Sequence, residues 1–176
     1  MKRHILIIVV SLFLIQISIC SAGEIQLNEK ITNANFVDVY NKSDDVKDEG
    51  IYIVKEIGSS YTKNNKRFIT KYVTKIGTEI WTNSDPSSGK IYGVCVVGEE
   101  PKNLDDMKPL LMTTMLVERA VGKPSGEAME TGMFALIDAT KNGKASYWSN
   151  ETNRRYIVYF YKPRENMVCY MIEASI

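Results

Sequence analysis

The side chains that could do chemistry in this chain are easier to exclude than to assemble. Its single histidine is His4. Lys2, Arg3 and His4 precede an unbroken apolar run from Ile5 to Ile15, and Cys20-Ser21-Ala22 then offers small residues at the two positions a signal peptidase reads. That layout predicts a signal peptide over residues 1–22, with the mature chain starting at Gly23. Cleavage removes His4, so the mature domain has no imidazole. Serine, cysteine and threonine nucleophiles that need an imidazole base are then excluded, as are the usual zinc sites.

The patterns that survive are weak. Ser60-Tyr61-Thr62-Lys63 and Ser87-Ser88-Gly89-Lys90 both fit the Ser-x-x-Lys pattern of penicillin-recognising enzymes, where the serine is the nucleophile. Two hits in so short a chain show how cheap the pattern is, and its companion motifs are absent. Glycoside hydrolysis needs two carboxylates on opposite sides of a bond. Glu127 with Glu130, and Asp138 with Glu173, are candidates, but nothing singles out a pair. Asn41, Ser43 and Asp45 start like a calcium loop, whose glycine and distal glutamate are missing from the required offsets. Met107, Met112 and Met115, with Met129 and Met133 beyond them, could offer soft sulfur to Cu(I), although methionine more often fills gaps in a core. We therefore assign no catalytic residue, metal ligand or cofactor.

Two thiols outlast the leader, Cys95 and Cys169, each inside a strand-like run. In an oxidising compartment such a pair predicts a disulfide, and closing a loop of more than about 70 residues would stabilise the fold by roughly 4 kcal/mol. The aromatic residues crowd the C-terminal third. In period-two geometry Tyr159 and Tyr161 go to one face of a strand while Tyr156 and Phe160 take the other. With Trp148, the tyrosines Tyr156, Tyr159 and Tyr161 form the candidate partner-binding set, since tyrosine and tryptophan favour interfaces.

These residues need elements to hold them. Residues 23–49 read as a polar lead-in with a short helix around Asn35 to Tyr40 and then a loop. Strand-like runs follow at Ile51 to Val54 and Arg67 to Trp81, with a turn over Ser84 to Gly89 and a return strand over Lys90 to Val97. One long helix is expected, started by Asp105 or Asp106, tolerating Pro109 in its first turn, and stopped by Gly122 and Pro124. Met133 to Thr140 and Ala145 to Ser149 read as a hairpin around Asn142-Gly143. Arg155 to Lys162 and Met167 to Ala174 read as a second hairpin around Pro163 to Asn166. The fold class is α+β, a mainly antiparallel sheet of about six or seven strands packed against one long helix, forming a single domain over residues 50–176.

The charge balance of 22 basic against 21 acidic side chains becomes −1 once Lys2 and Arg3 leave. Such a surface gives no electrostatic footprint for nucleic acid. The leader's apolar run is too short to span a bilayer, so no transmembrane segment is expected. A lipid anchor at Cys20 is disfavoured by the bulky Ile19 before it. Asn41-Lys42-Ser43 and Asn150-Glu151-Thr152 are glycosylation acceptor patterns that are idle in a bacterial host. The expectation is a periplasmic or secreted, non-enzymatic domain that binds a protein partner as an accessory, inhibitor or assembly factor. The alternatives are a small-molecule or lipid carrier, and a histidine-free hydrolase of cell-envelope substrates. Protein recovered from its host should have an intact mass that starts at Gly23. A mass that starts at Cys20 with acyl chains attached would replace export of a soluble chain with membrane anchoring.

Overall fold

The structure is a computed structural model that describes residues 29–121, 137–149, 154–161 and 165–175. The leader, Cys20, Met129, Met133, Glu127, Glu130 and the Gly122–Pro124 stop lie outside the described residues, as do Asn150 to Thr152. Two short helices, α1 (Phe36–Lys42) and α2 (Asp44–Glu49), precede β1 (Ile53–Tyr61), β2 (Phe68–Thr74), β3 (Glu79–Ser84) and β4 (Ile91–Glu99). The long helix α3 (Leu104–Val121) follows, then a helical stretch at residues 137–142, then β5 (Lys144–Ser149), β6 (Arg154–Tyr161) and β7 (Met167–Ser175). Every strand pair is antiparallel and the order is β1-β2-β3-β4-β7-β6-β5. The expected combination of an antiparallel sheet with helices is what the chain forms.

Period-two burial marks the face that meets the helices. Thr70, Tyr72 and Thr74 of β2 and Ile80, Thr82 and Ser84 of β3 are buried, while the residues between them are half-buried. The single strand expected over Arg67 to Trp81 is instead two strands. A turn at Lys75 to Thr78 divides them, with Gly77 at φ 87° and its N–H donating to the Thr74 carbonyl at 3.0 Å. Ile76 disguises that turn by continuing the apolar spacing on either side of it.

The lead-in is more ordered than its polarity implies. The acidic stretch expected as loop forms α2, which ends at Gly50 in the left-handed region (φ 68°) with the Gly50 N–H donating to the Val46 carbonyl. Phe36, Tyr40 and Val46 are fully buried in the same core as Tyr72, Ile80 and Val96. The Phe36 ring centroid lies 5.7 Å from that of Tyr72, and the Tyr40 hydroxyl donates to the Ile51 carbonyl at 3.1 Å. The segment before residue 50 is therefore packed into the domain.

Helix α3 begins two or three residues earlier than the two aspartates suggest. Asn103 is its cap, its side-chain oxygen accepting from the N–H groups of Asp105 (2.9 Å) and Asp106 (3.0 Å). Asp106 instead reaches back to accept from the Lys102 N–H at 3.0 Å. Pro109 consequently falls in the second turn, where its missing N–H costs an intrahelical bond.

The expected first C-terminal hairpin is corrected. Residues 137–142 are helical, and Gly143, at φ 76°, donates its N–H to the Ala139 carbonyl at 2.7 Å. Asn142-Gly143 ends a helix here. Both a primed hairpin turn and a helix C-terminus need a residue with positive φ, so the dipeptide alone does not separate the two.

The helix sits on the sheet through a missing side chain. A Cβ built on Gly98 of β4 would lie 2.1 Å from Leu110 Cδ1 and 3.3 Å from its Cγ. Leu110 is only 2% exposed, so it has little room to swing away. Gly98→Ala should lower stability by about 1–3 kcal/mol through overpacking, and Leu110→Ala by about 2–5 kcal/mol through a cavity. Because the second change vacates the space the first one needs, the double variant should cost less than the sum, as read by urea unfolding. Strict additivity would show that the two residues do not share this contact.

Candidate functional site

The buried polar groups of the helix-facing side are the first candidates, because the described core holds Thr70, Thr74, Thr78, Thr82, Ser84, Thr113, Thr114 and Glu118. Their hydrogen bonds assign most of them to structure. Asn33 donates to Thr70 Oγ1 at 2.9 Å and accepts from the Thr82 hydroxyl at 2.6 Å and the Tyr72 hydroxyl at 3.4 Å. Thr74, Thr78 and Thr113 form a chain of hydroxyl contacts at 2.7 and 2.9 Å, and Thr113 and Thr114 donate to the Pro109 and Leu110 carbonyls. Burial pushes the phenols of Tyr40 and Tyr72 upward and that of Tyr170 up to about 12, so all three stay neutral near pH 7.

The opposite face of the sheet is built differently. Register gives a cross-strand row of Lys71, Trp81, Cys95, Met171, Tyr159 and Lys144, and beside it a row of Val73, Glu79, Val97, Cys169 and Tyr161. Cys95, Val97 and Cys169 form a small buried cluster separate from the main core, with Trp81 and Met167 packed against it. The Lys71 ammonium lies 4.2 Å from the centroid of the Trp81 ring, and the indole N–H donates to the Glu79 carboxylate at 2.7 Å. Trp81 was not singled out from the sequence. Its position directly opposite Cys95 follows only from the β3–β4 register.

The candidate partner-binding residues divide between the two faces. Tyr159 and Tyr161 occupy the outer-face rows, paired with Met171 and Cys169, and Trp148 pairs with Arg155 in the same parity. Tyr156 pairs with Tyr147 and Ala174, which places it at the parity of buried Ala145. The backbone of these three tyrosines is described and their side chains lie outside the description. Trp148 is described and is 47% exposed.

The two sheet edges differ in their protection. On β1 the register shifts at Val54 and again at Ile57, and the Asn41 amide both donates to and accepts from the Ile53 backbone at 2.9 Å. Bulges and a side chain occupying backbone groups are ways of blunting an edge. The β5–β6 ladder runs without a shift from Lys144 to Ser149, and among the described residues no strand pairs with the far side of β5.

The remaining chemical candidates are dispersed. Ser60 lies on exposed β1 and Lys63 in the hairpin after it. The Ser87 hydroxyl donates to Asp85 at 2.6 Å, as do the Ser88 N–H (2.7 Å) and hydroxyl (2.9 Å), and these bonds hold the Asp85 carboxyl well below the usual carboxylate range. Both serines serve the turn. Asp138 is exposed and accepts from the Asn142 amide at 2.6 Å, while the Glu173 side chain lies outside the description. Met112 and Met115 line a shallow cleft of about 140 Å³ with Leu116, rimmed by Asp45, Asp48, Glu49 and Arg119. Arg119 is paired with Asp45 across it. Among the described residues no three His, Cys, Asp or Glu side chains gather as a metal site, and no helix is long and apolar enough to cross a membrane.

The expected Cys95–Cys169 disulfide is not formed. Cys95 stands opposite Met171 and Cys169 opposite Val97, so the two thiols are on the diagonal of the β4–β7 ladder. Diagonal neighbours have Cα atoms about 7–8 Å apart, beyond the usual 4.4–6.8 Å of a disulfide, so bridging them requires the backbone to move. Both thiols should react slowly with a maleimide in the native protein and fully after unfolding, with no reductant needed. An unreduced chain two hydrogens lighter than the reduced one would overturn this. Compared with known protein families, characterised proteins and solved structures, the chain matches none.

Proposed function

We propose that this chain is an exported, non-enzymatic domain that binds a protein partner in the periplasm or outside the cell, with the β5 end of the sheet as its contact surface. The observation that carries the reading is Trp148, 47% exposed on a strand whose outer edge has no bulge, while the opposite edge has two. A large amphipathic ring on a strand that, among the described residues, has no further strand beyond it suits recognition of an extended segment by strand addition. Tyr159 and Tyr161 stand at register positions of the same parity as Trp148. The leader-like first 22 residues support export.

A carrier needs volume between the helix and the sheet. The Gly98–Leu110 approach closes the seam between α3 and β4, which favours the binder. A hydrolase would need two carboxylates on one cleft, and neither expected pair supports that reading.

A photo-crosslinking amino acid placed at residue 148 should capture one partner in the host envelope, whereas the same group at exposed Lys42 should not. With that partner purified, Trp148→Ala should weaken binding by about 30-fold, the size expected for an aromatic hot spot of 2 kcal/mol. Equal affinities for wild type, Trp148→Ala and Trp148→Asp would remove β5 from the contact.

A further inference from the structure

We propose that the sheet edge formed by β1 and the turns beside it docks on the surface of an anionic lipid bilayer. This edge is at the opposite end of the strand order from β5, so the inference stands apart from the partner-binding reading. Two observations carry it. The near-neutral overall charge hides an uneven distribution: of 22 basic and 21 acidic side chains, residues 53–76 hold six basic ones, Lys55, Lys63, Lys66, Arg67, Lys71 and Lys75, and one acidic one, Glu56, which leaves sixteen basic against twenty acidic elsewhere. Of the six large apolar side chains that stay exposed among the described residues, four lie in the same segment: Val54, Ile57, Tyr61 and Ile76.

The backbone gathers these two kinds of side chain along one edge. Strand β1 has nine residues, about 27 Å of extended chain, and only Ile53 is buried. Val54 and Ile57 sit at its two register shifts, where a residue has no cross-strand partner. Tyr61 is 59% exposed, with its ring 5.0 Å from that of Phe68, and it leads into the turn that carries Lys63 and Lys66. At the other end the Lys75 N–H donates to the Tyr52 carbonyl at 2.8 Å, which holds Lys75 and Ile76 beside the start of β1. Lys55, Lys63, Lys66 and Lys75 are exposed, and none of them is ion-paired among the described residues. The bulges oppose addition of a further strand, so the partner is one that needs no backbone register. A hydrophilic polyanion would use the charge and leave the apolar side chains in water. A bilayer uses both, because lysine reaches anionic headgroups while valine, isoleucine and tyrosine enter the interface, a position tyrosine favours.

The test is co-sedimentation of the full chain with vesicles, each variant first checked by circular dichroism for retained fold. The wild type should bind vesicles of equal parts phosphatidylglycerol and phosphatidylcholine, bind pure phosphatidylcholine far more weakly, and lose the difference as salt is raised. Lys63→Gln with Lys66→Gln should weaken binding about 25-fold, roughly fivefold for each charge withdrawn from the surface. Val54→Ser with Ile57→Ser, which removes no charge, should weaken it about tenfold. Lys42→Gln with Lys47→Gln removes as much charge from α1 and α2 and should leave binding as it was. Equal binding by the wild type and both edge variants would overturn the site, and adsorption through residues 1–22, common to every chain tested, would give that result. Displacement of the wild type by soluble polyphosphate, with full binding kept by the Val54→Ser and Ile57→Ser chain, would overturn it too, by making the ligand a hydrophilic polyanion.

Discussion

Strand β4 joins the two halves of this sheet, and what it can support is set by the absence of a side chain at residue 98. The strand pairs with β3 on one side and with β7, more than 60 residues later, on the other. Helix α3 must cross its helix-facing side to reach the second half of the chain. Leu110 occupies the space where a Cβ at position 98 would stand, so helix and strand approach more closely than two ordinary side chains would permit. That approach sets the depth at which Val117 and Val121 meet the core. It also explains how a helix with a proline in its second turn is kept: burial against β4 offsets the lost backbone bond.

The core under the helix is unusually rich in threonine, and it is tolerable because the hydroxyls have partners. An unsatisfied buried hydroxyl costs about 1–3 kcal/mol, and several left open would exceed the margin of a domain this size. Asn33 resolves one group by bonding Thr70, Thr82 and Tyr72 together, and the Thr74–Thr78–Thr113 chain resolves another by linking the β2–β3 turn to α3. These bonds are directional, so they fix where the N-terminal segment and the helix sit on the sheet, while apolar residues such as Phe36, Ile80 and Val96 fill the core between them. Polar specificity and apolar driving force are divided between different residues of one face.

What could be read from the chain follows the range of the interactions involved. The class, the long helix and the strands β4, β6 and β7 show as local periodicity. The misread segments are those where one local signal serves two structures. Asn142-Gly143 suits a hairpin or a helix end, and here residues 137–142 are helical, so the dipeptide closes a helix. Ile76 continues the apolar spacing of both its neighbours, hiding the turn that Gly77 makes. The acidic stretch of α2 lacks a long apolar run, yet Val46 is fully buried in the core and Asp45 pairs with Arg119 of α3. Asn103 outcompetes Asp105 and Asp106 as a cap because only it precedes the first helical residue. The candidate site was legible in residue type and not in arrangement. Trp148 and the two cysteines stood out, but the diagonal offset of the thiols and the place of Trp81 opposite Cys95 depend on registers between distant strands, which no local pattern encodes.

The same registers give the two faces of the sheet different tasks. On the helix side the buried residues of β2, β3 and β4 share one core with α1, α2 and α3, so substitutions there report on stability. On the other side the central rows bury sulfur and half-bury an indole, while Trp148 at the β5 end stays half open. A sheet that had only to avoid aggregation would blunt both of its edges. This one concentrates its bulges and its Asn41 clamp on β1 and leaves β5 regular, beside its exposed indole. Edge protection costs little in sequence terms, one bulge or one inward charge being enough. Among the described residues such protection is found on β1 and not on β5, so the two ends of the sheet differ in how their backbone groups are covered.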